Sequence, residues 1–234
     1  MSGRRFVLIG LAAGLVATMP AHAGSTAEPP PAPMAIVVRD QTSLRAGPHE
    51  SATQQAQLWQ GEVLEVRGER LDYLQVWDYR RERGGFVEAS RVRRMSLAAA
   101  DAPELMAVVR FVRDTPGTEA LGIGFAAAYL KAATAESLRG EAGAEVFDAI
   151  GTMADRLAQR ASSGAVATGP AGAAPSRTGI ALSAHLEVAG RYGIAFKSYE
   201  RDGAMRICYA ARRFAACWRW HLPVRVSVPA LPSA

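Results

Sequence analysis

The side chains able to do chemistry are few and scattered. Cys208 and Cys217 are the only cysteines of the 234 residues, and His22, His49, His185 and His221 the only histidines. A thiol nucleophile needs a base and an orienting group beside it. Cys208 closes a β-type run instead of opening a helix, and His221 is the one histidine after it. A zinc centre needs convergent nitrogen, oxygen or sulfur ligands. His49, His185 and His221 fall in different elements, and Cys208, Cys217 and His221 would share an irregular tail. No metal and no cofactor is therefore assigned. Glu136-Ser137 offers a carboxylic acid of the kind glycan cleavage uses. It is followed by Leu138-Arg139-Gly140, and a solvated helix end accounts for it. No GxSxG, SxxK, phosphate-loop or dinucleotide pattern appears. No catalytic residue is assigned, and the reading leans against an enzyme.

The elements that must position any site begin with an export signal. Arg4 and Arg5 precede the apolar run Phe6 to Met19, and Pro20-Ala21-His22-Ala23 closes it. A basic start, an apolar stretch and an A-x-A site make a Sec-type signal peptide over 1–23, cut after Ala23. The run is too short to span a bilayer, which needs about 20 residues, so no transmembrane anchor is expected after cleavage. The mature chain is then periplasmic or secreted. In that oxidising compartment a Cys208–Cys217 disulfide is the simple expectation. The chain carries 27 Lys and Arg against 22 Asp and Glu, a formal charge of +5. Two of those cations leave with the signal, and the rest are mixed in sign. Nucleic-acid binding would need a longer basic stripe and is not expected. Hydrophobic residues at 49% argue against wholesale disorder.

Residues 24–34 form a Pro-rich linker with Pro29, Pro30, Pro31 and Pro33. Residues 35–94 read as β: Ile36-Val37-Val38 is a short strand, and Leu74 and Val76 alternate with Gln75 and Trp77. Gly84-Gly85 is expected to break the chain before Phe86-Val87. Short strands between glycine turns suggest a small barrel.

Four blocks carry a resemblance. Thr42-Ser43-Leu44-Arg45-Ala46-Gly47-Pro48 resembles the opening motif of bacterial SH3 domains, with its Leu/Val-Arg-x-Gly-Pro pattern. Gln60-Gly61-Glu62-Val63-Leu64-Glu65-Val66 is similar to the strand that follows in that family. Leu71-Asp72-Tyr73-Leu74-Gln75-Val76 and Gly84-Gly85-Phe86-Val87 occupy its "Trp-x-x-Val" and "Gly-Trp-Val" positions, with Tyr73 and Phe86 in place of tryptophans. The match covers about a quarter of the chain. It implies an SH3-like barrel that binds cell-wall peptides or tethers an envelope protein. Trp59, Tyr73, Trp77, Tyr79 and Phe86 are the candidates for its ligand groove. The alternative for each aromatic is a place in the core.

Residues 101–161 read as a helical domain. Asp101-Ala102-Pro103-Glu104 has the layout of a capping box, and Leu105, Val108, Val109 and Val112 share one helical face. Thr115-Pro116-Gly117 stops that helix, and Thr118 can cap a second. In the second, Gly122 and Gly124 leave a low face for close helix packing. A third helix, about Ala144 to Arg160, places Val146, Phe147, Ile150, Met153, Ala154 and Leu157 inward. Residues 162–177 read as a flexible linker. Residues 178–210 read as an amphipathic helix (Ile180, Leu182, Leu186, Ala189) and a hairpin turning at Arg201-Asp202-Gly203, both packing on the helical domain. The part from Asp101 to Tyr209 resembles SH3-domain proteins exported by Gram-negative bacteria. The tail, 211–234, is irregular and dense in Arg and Trp at its start. One GC-rich coding of Phe214 to His221, read from the last base of the Phe codon, gives Arg-Arg-Val-Leu-Ala-Leu-Ala, so the tail reads as frameshifted relative to such proteins.

The expected architecture is α+β and multidomain: a small SH3-like β-barrel, then an α-helical bundle with a C-terminal β-hairpin. The expected function is a non-enzymatic envelope protein that binds peptidoglycan peptides or a protein partner. Two alternatives remain: a cell-wall hydrolase or lytic transglycosylase with an unrecognised site, for which Glu136→Gln is the discriminating variant, and a structural subunit of an envelope or secretion complex.

Overall fold

A computed structural model describes residues 32–166, 176–201 and 204–210. The expected signal peptide and its cleavage site, most of the first linker and the tail lie outside the described residues. The described part opens with seven short strands: β1 (Met34–Val37), β2 (Thr42–Arg45), β3 (Gln54–Leu58), β4 (Val63–Arg70), β5 (Tyr73–Asp78), β6 (Arg83–Glu88) and β7 (Val92–Met95). Five helices follow: α1 (Ala102–Arg113), α2 (Glu119–Ala132), α3 (Ala135–Arg139), α4 (Glu141–Val166) and α5 (Arg177–Arg191). A hairpin of β8 (Phe196–Arg201) and β9 (Ala204–Tyr209) ends the described part. The molecule is thus mixed α and β, with strands first, helices second and a two-stranded sheet last. Among the described residues no helix is long and apolar enough to cross a membrane.

The seven strands make one sheet in the order β3-β2-β6-β5-β4-β1-β7, antiparallel throughout. Ala35, Val37, Leu44, Leu58, Leu64, Val66, Leu74, Val76, Val87 and Val92 form a core cluster that contains no helical residue. Each is nearly or fully buried. Only other strands of the same sheet can cover them, so the sheet curls over its own inner face. The period-two pattern selects that face: Leu74, Val76 and Asp78 point in, while Tyr73, Gln75 and Trp77 point out. The edge strand β3 is capped by side chains. Arg83 donates to the Gln55 carbonyl at 3.2 Å and Arg81 to that of Gln57 at 3.3 Å, which occupies groups that would otherwise pair with a foreign strand.

Gly84-Gly85 does not interrupt the chain as expected; both glycines lie inside β6. A side chain on Gly85 would meet the Leu44 side chain at 2.7 Å and the Arg45 carbonyl at 2.8 Å. At Gly84 it would meet the Trp77 ring at 3.3 Å. Glycine is there for close packing, which a sequence pattern cannot distinguish from a turn.

The helices form a second core from Leu105, Met106, Val109, Val112, Ile123, Phe125, Val146, Met153 and Leu157 among others, and Ile36 of β1 belongs to it. Strand β1 therefore faces both cores, Ala35 and Val37 inward and Ile36 toward the helices. Several expectations are corrected here. Asp101 does cap α1, but its side chain makes no capping bond; Glu104 instead pairs with Arg93 at 3.2 Å. Thr118 precedes α2, yet its hydroxyl donates to the carbonyls of Val112 and Thr115. Phe147 is 60% exposed, and Ile180 is 43% exposed. The third expected helix starts earlier and runs on to Val166, so the expected linker begins inside a helix. Ser162 there is buried, and its hydroxyl bonds both the N–H and the carbonyl of Ile207. That pair fastens β9 to α4. Arg201 stands opposite Ala204, so the hairpin forms where expected, with Asp202 and Gly203 outside the described residues.

Helix α2 meets the sheet at the turn between β3 and β4. Gly61 there has φ +87°, and a Cβ on it would lie 2.2 Å from the Ala120 carbonyl oxygen. Gly124 faces the same turn, where a Cβ would meet the Gly61 oxygen at 2.7 Å and Ile36 at 2.8 Å. The low face of α2 thus serves two neighbours: Gly122 lies against Met153 of α4, and Gly124 against the sheet. Gly61→Ala combines left-handed strain with a backbone collision. It should cost about 3 kcal/mol or more, read as a lowered urea midpoint. Ala at the open position Gly151, with nothing within 4 Å, should leave the midpoint unchanged or raised.

Candidate functional site

Register places the expected groove aromatics in rows on the outer face. Tyr73 of β5 stands opposite Glu88 of β6, and Gln75 opposite Phe86. Phe86 in turn stands opposite Arg45 of β2. Trp77 stands between Gly84 and Glu65. Directly opposed residues share a face, so Tyr73 and Trp77 of β5 and Phe86 of β6 lie on one outer face, each half-buried.

At the Tyr73 end the face opens into a cleft of about 360 Å³. Its walls are β2 with the turn before it, the β4–β5 turn, and the segment after β6. Ser43, Arg45, Asp72, Tyr73 and Glu88 line it, with Glu50 and Arg91 at its sides. Arg45 donates to the Ala52 carbonyl at 2.9 Å, which fixes its guanidinium. Glu88 accepts from the Ser90 hydroxyl and lies 3.5 Å from Arg91. These bonds hold its carboxyl below the usual range, the Ser90 bond most, against a small opposing effect of burial. The arrangement can donate to and accept from an extended chain, with an aromatic ring alongside.

The other end is already occupied by the protein's own groups. The Arg67 guanidinium lies 4.3 Å from the Trp77 ring centroid, a cation–π contact, and Gly84 lets the ring lie close to β6. Tyr79 is 64% exposed, and its hydroxyl donates to Glu65, which also pairs with Arg67 at 2.9 Å. The Glu65 carboxyl is held low, first by Tyr79 and then by Arg67. Trp77 and Tyr79 are thus partnered, whereas Tyr73 borders open space.

Trp59 is separate from this face. Its ring meets His185 of α5 edge-on, with centroids 6.4 Å apart at 83°. Around it lies a polar clasp that sequence reading missed, because its members are far apart in the chain. His185 is 3% exposed, and its Nε2 is 2.7 Å from Asp40 Oδ1. The same oxygen accepts from the Gln60 N–H at 3.2 Å. Glu62, itself buried, takes Arg81 at 2.6 Å and Arg191 at 3.3 Å. Arg81 also pairs with buried Asp78 at 2.5 Å, and Tyr192 donates to the Gly61 carbonyl at 2.6 Å. Burial, and then the negative charge of Glu62, push the Tyr192 phenol up. A third buried carboxylate, Glu119, accepts from the Gly117 N–H and pairs with Arg156 and Arg160. Every described member of these networks has a structural partner, and Arg156 and Arg160 also line an open pocket with Ser163 and Thr178.

The remaining sequence candidates are dispersed. Glu136 is exposed on the short helix α3, and Thr134 caps that helix by accepting from the Ser137 N–H. Cys208 is buried on β9 beside α4, and the expected pairing with Cys217 lies outside the described residues. Among the described residues no group of three or more His, Cys, Asp or Glu side chains is placed to hold a metal ion.

Two consequences of the clasp can be measured. Arg81→Gln leaves buried Asp78 without its cation and Glu62 with Arg191 alone, and should cost about 3 kcal/mol in equilibrium unfolding. Burial opposes ionisation of Asp40, but the His185 bond and charge and the Gln60 N–H outweigh it and hold the carboxyl below its ordinary 3.8. That contribution is present above the unfolded-state pKa and is lost as pH falls through the lower folded value. Asp40→Asn should therefore lower stability at pH 7 and lose less than wild type between pH 4.5 and pH 2.5, followed by the urea midpoint. No family model matches the chain, and no curated protein or solved structure matches it.

Proposed function

We propose that this chain is an exported, non-enzymatic protein of the bacterial cell envelope, and that its curled sheet is an SH3-like barrel that binds peptides of the cell wall. The observation that carries the reading is the outer face of β2, β6 and β5. There Tyr73 and Phe86 stand in successive rows beside an open polar cleft with fixed donors and acceptors. An extended peptide uses this combination, with a flat ring for contact area and polar groups for register. The four sequence blocks of the SH3 resemblance supply strands or turns of this same sheet, and the basic-then-apolar N-terminus supports export. The helices act as a support, since α2 and α5 hold the β3–β4 turn.

Deleting the sheet would not be a clean test, because Ile36 and the β3–β4 turn are part of the helical packing. The test is co-sedimentation of the chain from Gly24 onward with purified sacculi, beside two point variants. Wild type and Phe111→Ala should be retained, since Phe111 is 75% exposed on α1. Tyr73→Ala should lose about 2 kcal/mol of affinity, roughly thirtyfold. Retention of wild type no better than a control protein would refute wall binding. Equal retention of Tyr73→Ala would move the site off this face.

A further inference from the structure

The cleft carries charges of both signs that the protein itself does not neutralise. Arg45 is half-buried and bonded to a backbone carbonyl, and no carboxylate among the described residues pairs with it in an ion pair. Arginine fixed this way keeps free N–H groups aligned for a carboxylate. Asp72, in the β4–β5 turn, and Glu50, in the β2–β3 loop, also line the cleft; both are exposed and form no described ion pair. Glu88 and Arg91 sit nearby but engage each other at 3.5 Å. A wholly acidic cleft would select any cation and a wholly basic one any anion. A mixed cleft selects a ligand that brings both charges in complementary order.

We propose that this cleft recognises a zwitterionic head group, with the ligand's carboxylate on Arg45 and its ammonium held by Asp72 and Glu50. This rests on the peptide-binding reading above and specifies the part of the peptide that is read. The class is a short peptide whose diamino-acid residue presents an amine and a carboxylate together. The aliphatic stem between the peptide and that head lies along the Tyr73 ring.

The test is calorimetry of the chain from Gly24 onward with the tripeptide L-alanyl-γ-D-glutamyl-meso-diaminopimelate. Its derivatives, acetylated on the side-chain amine or amidated on the side-chain carboxyl, are compared with it. The unmodified tripeptide should bind, and each blocked form should bind about tenfold more weakly. Asp72→Asn should abolish discrimination against the acetylated form. Arg45→Gln should abolish discrimination against the amide, and Arg45→Lys should restore part of it. Thermal melts of the variants separate lost recognition from lost folding, and Glu50→Gln, on an exposed loop, is a second probe of the ammonium side. Equal binding of all three tripeptides, with sacculus retention intact, overturns the zwitterion proposal and leaves wall binding standing. Absence of both tripeptide binding and sacculus retention overturns the two together.

Discussion

The structure depends on the close approach of one turn, Trp59 to Glu62, to the helices. Gly61 has no side chain, and its backbone is pressed against Ala120 of α2. Its carbonyl accepts from Tyr192 after α5. The neighbouring residues extend the contact: Gln60 N–H reaches Asp40, Trp59 meets His185, and Glu62 takes two arginines. Sheet and helices are thereby held by backbone contact in the middle and by charge around it. Any side chain at Gly61 would separate the layers before the surrounding pairs could form.

The polar clasp adds specificity more than net stability. Buried ion pairs lose hydration on forming and gain it back only with good geometry. Breaking one partner is costly, because it strands the other. This arrangement favours one docking geometry over others of similar hydrophobic area. The residues involved come from β5, the β5–β6 turn, the β3–β4 turn and α5, so the clasp also fixes how the β5–β6 hairpin stands. Tyr73, Trp77 and Phe86 lie on the opposite face of that hairpin, and its fixed position fixes theirs.

The outer face divides into a used half and an open half. Trp77 is covered by Arg67, and Tyr79 is tied to Glu65. Tyr73 lines the cleft with charges around it. Availability is thus decided by the side chains beside each ring and not by exposure alone, since Tyr79 is the more exposed of the two tyrosines. The curl of the sheet leaves β3 at an edge, and Arg81 and Arg83 cover its carbonyls. Peptide binding by simple strand addition at that edge is therefore disfavoured.

The alternation in β5, the helical periodicity of α1 and α4, and the hairpin turn after Arg201 were all legible, because each is a local pattern of neighbouring residues. The order of strands, then helices, then a terminal hairpin follows from the chain itself. Tertiary structure decided what local patterns cannot encode. It set Gly84 and Gly85 inside a strand, because the ring of Trp77 and the side chain of Leu44 need the space. It turned Phe147 outward although its spacing suggested the core, since α4 is contacted on only part of its circumference. It drew Trp59 away from the groove to His185, and it joined Asp40 to a histidine 145 positions later. Periodicity reports which face of an element is apolar. Which neighbour meets that face, and which polar groups are buried when it does, depends on residues distant in sequence.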